Sequence, residues 1–301
     1  MPMHVPVLLQ EVLKYLAPQP NENFIDGTLG TGGYTKAILE LTAPHGRVLG
    51  VDLDKEAYQR AQETLAQNHI DKERLLFRQG NFSALRAIVT QTNLGKISGI
   101  VLDLGLNTDS LEHSGRGFSF KKDEPLLMTF TADWQNAPRT AATIVNSYSE
   151  RELADIFWRY GEEKYSRSIA RNIVSARKRN PITTTQALTS IIEQSVPKGY
   201  ERGRINPATR TFQALRIATN DELNNLKTAL EEIPNLLPEG GRYVVVSFHS
   251  LEDRLVKRAF RKLKENGQAK ILTPKPVVAG ESEINLNPKS HSAKLRAIQI
   301  I

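Results

Sequence analysis

Cysteine is absent from the 301 residues, which excludes a disulfide framework and any thiolate metal site. The same absence fits a reducing compartment, so a cytoplasmic location is expected. No run of about 18 apolar residues occurs, which argues against a membrane-spanning helix. The stretch Met1 to Leu9 has no basic segment ahead of a short apolar core, so no signal peptide is expected. Histidines number six and lack ligand spacing, so no protein metal site is expected either. The glycine-rich stretch near residue 30 is not followed by Gly-Lys-Ser/Thr, which removes a Walker-type phosphate loop. Internal repeats and low-complexity tracts are also missing.

Basic charge is what the chain has in excess, and it is localised. The formal net charge is +7. Between Arg151 and Arg216 stand thirteen Lys/Arg against six Asp/Glu, so this fifth of the chain carries the whole excess. A cationic face of that kind suits a polyanion such as nucleic acid, unless it is simply a solvated, Arg-rich helical surface. A second basic cluster falls in one predicted helix, where Arg254, Lys257, Arg258, Arg261, Lys262 and Lys264 lie within eleven residues.

The first hundred residues alternate short apolar runs with amphipathic ones. Runs at 24–29, 47–52, 74–77 and 97–104 read as strands, with helices at about 55–68 and 82–90 between them. This βαβ rhythm predicts a parallel sheet. The near-continuous apolar character of 97–104 predicts a central strand covered on both faces. From 106 to 206 the strand signal stops. Charged amphipathic stretches at 150–160, 163–177 and 184–194 replace it, with breakers at Pro181 and Pro197. One helix over 208–232 then leads to strands at 242–248 and 294–301, and 273–290 reads as a loop. The expected architecture is an α/β doubly wound sheet interrupted by a helical insertion after its fourth strand.

Ligands of open α/β sheets sit at the carboxyl ends of the strands. Gly30, Gly32 and Gly33 fall at the end of the first strand, and Asp52 closes the second. A carboxylate there can accept both ribose hydroxyls of an adenosine, which points to a nucleoside-containing cofactor. A nicotinamide enzyme would use G-x-G-x-x-G with an open helix N-terminus for the pyrophosphate. Here the pattern is G-x-x-G-x-G-G preceded by Asp26. That carboxylate repels pyrophosphate and suits the cationic amino acid end of S-adenosylmethionine. Asp103 ends the fourth strand, facing the cofactor and the reacting atom in this topology.

The ordered stretches His4-Val5-Pro6-Val7-Leu8-Leu9, Asp26-Gly27-Thr28-Leu29-Gly30-Thr31-Gly32-Gly33, Asp103-Leu104-Gly105, Arg116-Gly117-Phe118-Ser119-Phe120 and Tyr160-Gly161-Glu162-Glu163 run through the chain. They continue in Asn206-Pro207-Ala208-Thr209-Arg210-Thr211-Phe212-Gln213-Ala214-Leu215-Arg216-Ile217, Ser247-Phe248-His249-Ser250-Leu251-Glu252-Asp253-Arg254 and Ser292-Ala293-Lys294-Leu295-Arg296. Together they resemble the bacterial 16S ribosomal RNA cytosine-1402 N4-methyltransferases.

The resemblance implies a class I methyltransferase (Rossmann-like) fold, with 1–105 and 209–301 as the S-adenosylmethionine domain and 106–208 as a helical, RNA-binding insertion. It implies methylation of a cytosine exocyclic amine in the decoding region of 16S rRNA, with the small ribosomal subunit as partner. It also implies a cofactor site at Gly32, Gly33, Tyr34, Asp52, Phe82, Asp103 and Ser110. Tyr34 stands where the family usually has His, and Ser110 where it has Gln. Leu106-Asn107-Thr108-Asp109 replaces a usual Val-Ser-Ser-Pro. Leu127 and Thr129 replace an Asp and an Arg. These changes leave two alternatives open: a non-catalytic RNA-binding assembly factor on the same fold, or a shifted RNA target.

Methyl transfer needs the nucleophile about 3–3.5 Å from the methyl carbon. An acceptor on the amine N–H, either Asp103 or a backbone carbonyl in 104–107, is the expected catalytic element. Arg210, Arg216, Arg254, Lys257 and Arg258 are the expected RNA contacts. Phe118, Phe120 and Phe248 are candidate stacking surfaces for an unstacked base, against the commoner role of core packing. His249 is either a pocket residue or a structural one.

Overall fold

The computed structural model describes residues 6–105, 114–131, 137–200 and 205–301. The strands are β1 (Asn23–Asp26), β2 (Val48–Asp52), β3 (Leu75–Gln79), β4 (Ile97–Asp103), β5 (Arg242–Ser247), β6 (Ala269–Ile271) and β7 (Lys294–Ile300). They form one seven-stranded sheet in the order β3-β2-β1-β4-β5-β7-β6. β1 to β5 pair in parallel, and β7 runs antiparallel to both β5 and β6. This is a class I methyltransferase sheet. Its order reverses at β1 and β4, so their carboxyl ends open the crevice where a ligand sits.

Alternation along the strands builds two cores, because successive side chains point to opposite faces. Ile25, Leu49, Ile100, Leu102, Tyr243 and Val245 face one way. Phe24, Val48, Val101, Val244 and Val246 face the other. Helices α1 (Leu9–Leu16), α2 (Gly33–Leu41) and α3 (Glu56–Gln67) supply Val12, Leu16, Ile38, Leu39, Ala61 and Leu65 to the second core. Helix α4 (Leu85–Thr90) supplies Leu85 to the first.

The described part of the insertion carries helices α5 (Ala141–Ser147), α6 (Glu150–Gly161), α7 (Ser166–Arg177), α8 (Thr185–Ser195) and α9 (Ala208–Asn220). Their starts are set by hydroxyls. Thr140, Ser149 and Thr184 each accept a backbone N–H of the first turn, and Ser149 forms a capping box with Glu152. Leu153, Phe157, Ile169, Ile173, Leu188, Ile192, Phe212 and Leu215 fill a third, separate core.

The chain divides into a sheet unit, Met1–Gly105 with Leu223–Ile301, and a helical unit, Leu106–Glu222. The return therefore falls at 223 and not at 209, because α9 buries Phe212, Leu215 and Ala218 in the insertion's own core. The helix expected over 208–232 is two, since Asp221 takes the left-handed conformation at φ 53 and ends α9. The following helices are α10 (Glu222–Glu231) and α11 (Ile233–Leu236). After β5 come α12 (Ser250–Glu265) and α13 (Glu281–Leu286), the latter inside the stretch expected to be loop. Helix α1 and strand β6 went unanticipated. Both are short, and β6 depends on pairing with β7 for its definition.

Candidate cofactor site

The site is built from the carboxyl ends of β1, β2 and β4. The turn after β1 is tied to its neighbours by backbone bonds, Gly27 N–H to Val101 O at 3.0 Å and Leu29 N–H to Val51 O at 3.0 Å. Gly32 has φ 79, and a Cβ there would stand 2.8 Å from the Cβ of Ala61. Any side chain would force α3 off the turn, so glycine is required on both counts. Gly33 opens α2 immediately after it.

Asp52 joins two corners. One carboxylate oxygen accepts Gly30 N–H at 2.8 Å, and the other accepts Asp54 N–H at 2.9 Å. An ionised carboxylate has about four lone-pair sites, so both oxygens retain capacity for the hydroxyls of a ribose. Burial raises its pKa from the ordinary carboxylate value, against the lowering effect of those two amides.

Asp26 is fully buried and accepts Thr35 Oγ1 at 2.8 Å and Thr28 N–H at 3.2 Å. Loss of hydration pushes its pKa up to about 6, and the Asp52 charge adds to the rise. Asp103 stands beside it, with β1 and β4 paired up to Asp26 and Val101. The Asp103 carboxylate accepts Gly105 N–H at 2.9 Å, and its own amide donates to Thr28 Oγ1 at 2.7 Å. Burial first, then the nearby Asp26 and Glu252, push Asp103 up to about 7. Tyr34, expected to touch the cofactor, is buried. Its hydroxyl donates to the Val7 carbonyl and lies against Asp103, which raises the phenol pKa further after burial.

The far wall is the corner from β5 into α12. A Cβ on Gly105 would stand 2.7 Å from the Phe248 ring and 2.8 Å from Asp103 Oδ1, so Phe248 closes directly over this turn. Glu252 is buried, and its Oε2 accepts Phe248 N–H at 2.8 Å and His249 N–H at 3.2 Å. His249 caps α12 by accepting Glu252 N–H, and its Nε2 stands 3.1 Å from Glu252 Oε1. This resolves His249 as the helix cap.

Phe82 sits in a short 3-10 turn (Phe82–Ala84), half-buried against the first core. Ser110 and the replaced stretch 106–109 lie outside the described residues. Phe118 stacks on Phe130 and Phe120 meets Phe212 edge-on, so both are packing residues of the insertion. Thr129 is buried, and its carbonyl accepts Arg116 Nη1 at 3.0 Å.

The five expected RNA contacts separate. The Arg216 guanidinium forms a bidentate pair with Glu222, at 2.9 and 2.8 Å, and both side chains are mostly covered. Arg210 is half-buried with Nη1 at the Glu162 carbonyl. Arg254, Lys257 and Arg258 are exposed on α12.

Glu252 and the buried pair of Arg296 with Asp253, at 2.6 and 3.1 Å, escaped the sequence reading as site-shaping residues. A signal for the first was present, since Glu252 lies three residues after a polar cap ahead of an apolar run.

Among the described residues no Lys or Arg is bonded to Asp26 or Asp103. They lie beside a carboxylate suited to a ribose and a turn that admits no side chain. That donor set fits a cationic nucleoside cofactor and rejects a pyrophosphate.

Relatives agree. A ribosomal RNA small subunit methyltransferase H from Desulfotalea psychrophila is 43% identical over 297 residues, covering 99% of this chain and 98% of the relative. Proteins of the same name from Syntrophotalea carbinolica and Geobacter sulfurreducens are 45% and 44% identical, each covering 98% of this chain and 97% and 98% of the relative. The pattern of the MraW methylase family matches residues 1–301, and the chain belongs to that family.

Proposed function

We propose that this protein is an S-adenosylmethionine-dependent methyltransferase acting on the exocyclic N4 amine of a cytosine in 16S rRNA, position 1402 of the decoding region. The observation that carries the cofactor assignment is the pair of carboxylates at the adjacent ends of β1 and β4, Asp26 buried and Asp103 half-buried, with no Lys or Arg among the described residues bonded to them. A buried charge needs a partner, and a sulfonium with an ammonium supplies one. The family membership and the basic surface support the RNA substrate. That substrate places the protein in the cytoplasm with the ribosomes, and no described helix is long and apolar enough to cross a membrane.

The bound cofactor supplies an electrophilic methyl group. The chain's residues hold, orient and neutralise around it. Asp52 takes the ribose hydroxyls, and the Gly32 turn brings the backbone close. The Asp103 carboxylate, at the end of β4 beside the Phe248 wall, would accept an N–H of the cytosine amine and take the proton released as the nitrogen is methylated. A general base of this kind contributes about 100- to 10,000-fold. Phe248, against Gly105, closes the wall beside that carboxylate.

The test is incubation with labelled S-adenosylmethionine and small ribosomal subunits lacking the decoding-site methyl group, followed by mapping of the label. Label on the cytosine amine supports the reading. Measured cofactor binding with no transferred label overturns it in favour of a retained scaffold. Asp103→Asn is expected to bind cofactor and lose turnover by about 100-fold or more, and wild-type turnover in that variant would remove Asp103 from the role.

A further inference from the structure

We infer that the solvent face of α12 is a cationic track for the rRNA strand that leads away from the target nucleotide. This rests on the proposed activity and adds a surface to it. The helix is anchored at the reaction end of the sheet unit: His249 caps it, and Phe248, the residue before, lies against Gly105 beside Asp103. From there six cations, Arg254, Lys257, Arg258, Arg261, Lys262 and Lys264, are all exposed. At 3.6 residues per turn they project over an arc of about 160°, opposite the buried Glu252, Val256, Phe260 and Leu263. The face runs for about 15 Å from Arg254 to Lys264 at 1.5 Å per residue. That length spans roughly four phosphates of a strand rising about 3.4 Å per nucleotide.

Five of the six charges have no acidic partner among the described residues. Among the described residues Lys257, Arg258, Arg261, Lys262 and Lys264 form no ion pair; of the helix's three acids, Glu252 and Asp253 are engaged with His249 and Arg296, and Glu265 is exposed at its last position. Like charges one turn apart repel on a helix surface, so the arrangement is unfavourable without an external anion. The helix dipole favours cations only in the last turn. It explains Lys262 and Lys264, which stand there, and leaves Lys257, Arg258 and Arg261 unexplained. A polyanion entering at Asp103 accounts for all of them.

The test compares K257A/R258A/R261A/K262A with a control of equal charge, K14A/K72A/K96A/K227A, whose positions are exposed elsewhere in the sheet unit. Alanine raises helix propensity, and retained S-adenosylmethionine binding shows that each variant is folded. Binding to the small ribosomal subunit is measured against salt concentration, and methylation against subunit concentration. The α12 variant is expected to lose about three from the log-log salt slope, at roughly 0.7–0.9 per contact. Its KM for subunits should rise about ten-fold or more with kcat retained, while the control keeps its slope. Equal effects in both variants, or none in the α12 variant while the wild type binds and methylates, overturn the track. A wild-type protein that neither binds nor methylates the subunit overturns the proposed function itself, and the track with it.

Discussion

The sheet unit and the insertion both bury apolar side chains, but the sheet unit also gathers acids at one end of its sheet. In the first, buried Asp26 and half-buried Asp103 close β1 and β4, and buried Glu252 lies in the first turn of α12, all held by amides and hydroxyls. In the second, Phe157, Ile169, Ile173 and Leu188 fill a core whose charge is worn outside by Arg151, Arg159, Arg167, Arg171, Lys178 and Arg179. The insertion's buried acid, Glu163, has one oxygen, Oε1, held by Tyr165 N–H at 2.8 Å and the Tyr200 hydroxyl at 2.9 Å, while its Oε2 has no partner among the described residues. The difference teaches that acids gathered at one corner, and not a buried acid by itself, mark the chemistry here. A lone Glu163 sits among the insertion's helices, whereas Asp26, Asp103 and Glu252 surround the ends of β1 and β4, as suits a unit that receives a cation.

The sharpest way to break this contrast is to damage each unit alone. Phe157→Ala empties a fully buried ring site in the insertion and is expected to destabilise by about 3–5 kcal/mol, read by denaturant unfolding. S-adenosylmethionine affinity should persist while methylation of the ribosomal subunit fails. Loss of cofactor affinity in that variant would dissolve the distinction. In the sheet unit, Asp253→Ala strands the buried Arg296 guanidinium. It should also lower stability by about 3–5 kcal/mol, again by denaturation.

Asp52→Ala removes the acceptor that ties Gly30 and the ribose side of the site. Losing one or two charge-assisted hydrogen bonds should weaken S-adenosylmethionine binding about 10- to 100-fold by calorimetry, with little change in RNA affinity.

A subtler probe is pH. Asp26 and Asp103 carry folded pKa values of about 6 and about 7 against 3.8 for an ordinary Asp carboxyl, chiefly through burial. The folded chain therefore holds protons that the unfolded chain has released. Stability without ligand should fall as pH rises from about 4 to about 7 and level off above. Binding of the cationic cofactor should tighten over the upper part of that window, by at most about ten-fold per pH unit per proton released. Asp103→Asn should flatten both curves, and an unchanged curve would separate Asp103 from the cation. The smallest effect expected is Arg216→Ala. Its pairing with Glu222 predicts a loss of about 1 kcal/mol and no change in the salt slope of RNA binding.

Legibility followed locality. The strand runs at 24–29, 47–52 and 97–104, the glycine turn and the amphipathic stretches at 150–160 and 184–194 are written in neighbouring residues, so periodicity and residue type revealed them. Strand β6 has three residues and exists through its pairing with β7. The break at Asp221 carries no Gly or Pro to announce it. Arg216 resembles an RNA contact in sequence because nothing there shows that Glu222, one turn and a half later, would fold back onto it.

By itself the sequence determined the alternating sheet, the insertion, the acidic strand ends and the two basic clusters, because residue type and spacing suffice for each. Only tertiary structure decided which charges are spoken for. Arg296 and Asp253 lie 43 residues apart and neutralise each other inside, Glu252 turns inward to cap its own corner, and the cations of α12 are left facing water. The physical reason is that a charge's environment is set by what packs against it across the chain. Burial and pairing raise or spend its free energy, and neither is a property of the residue or its neighbours in sequence.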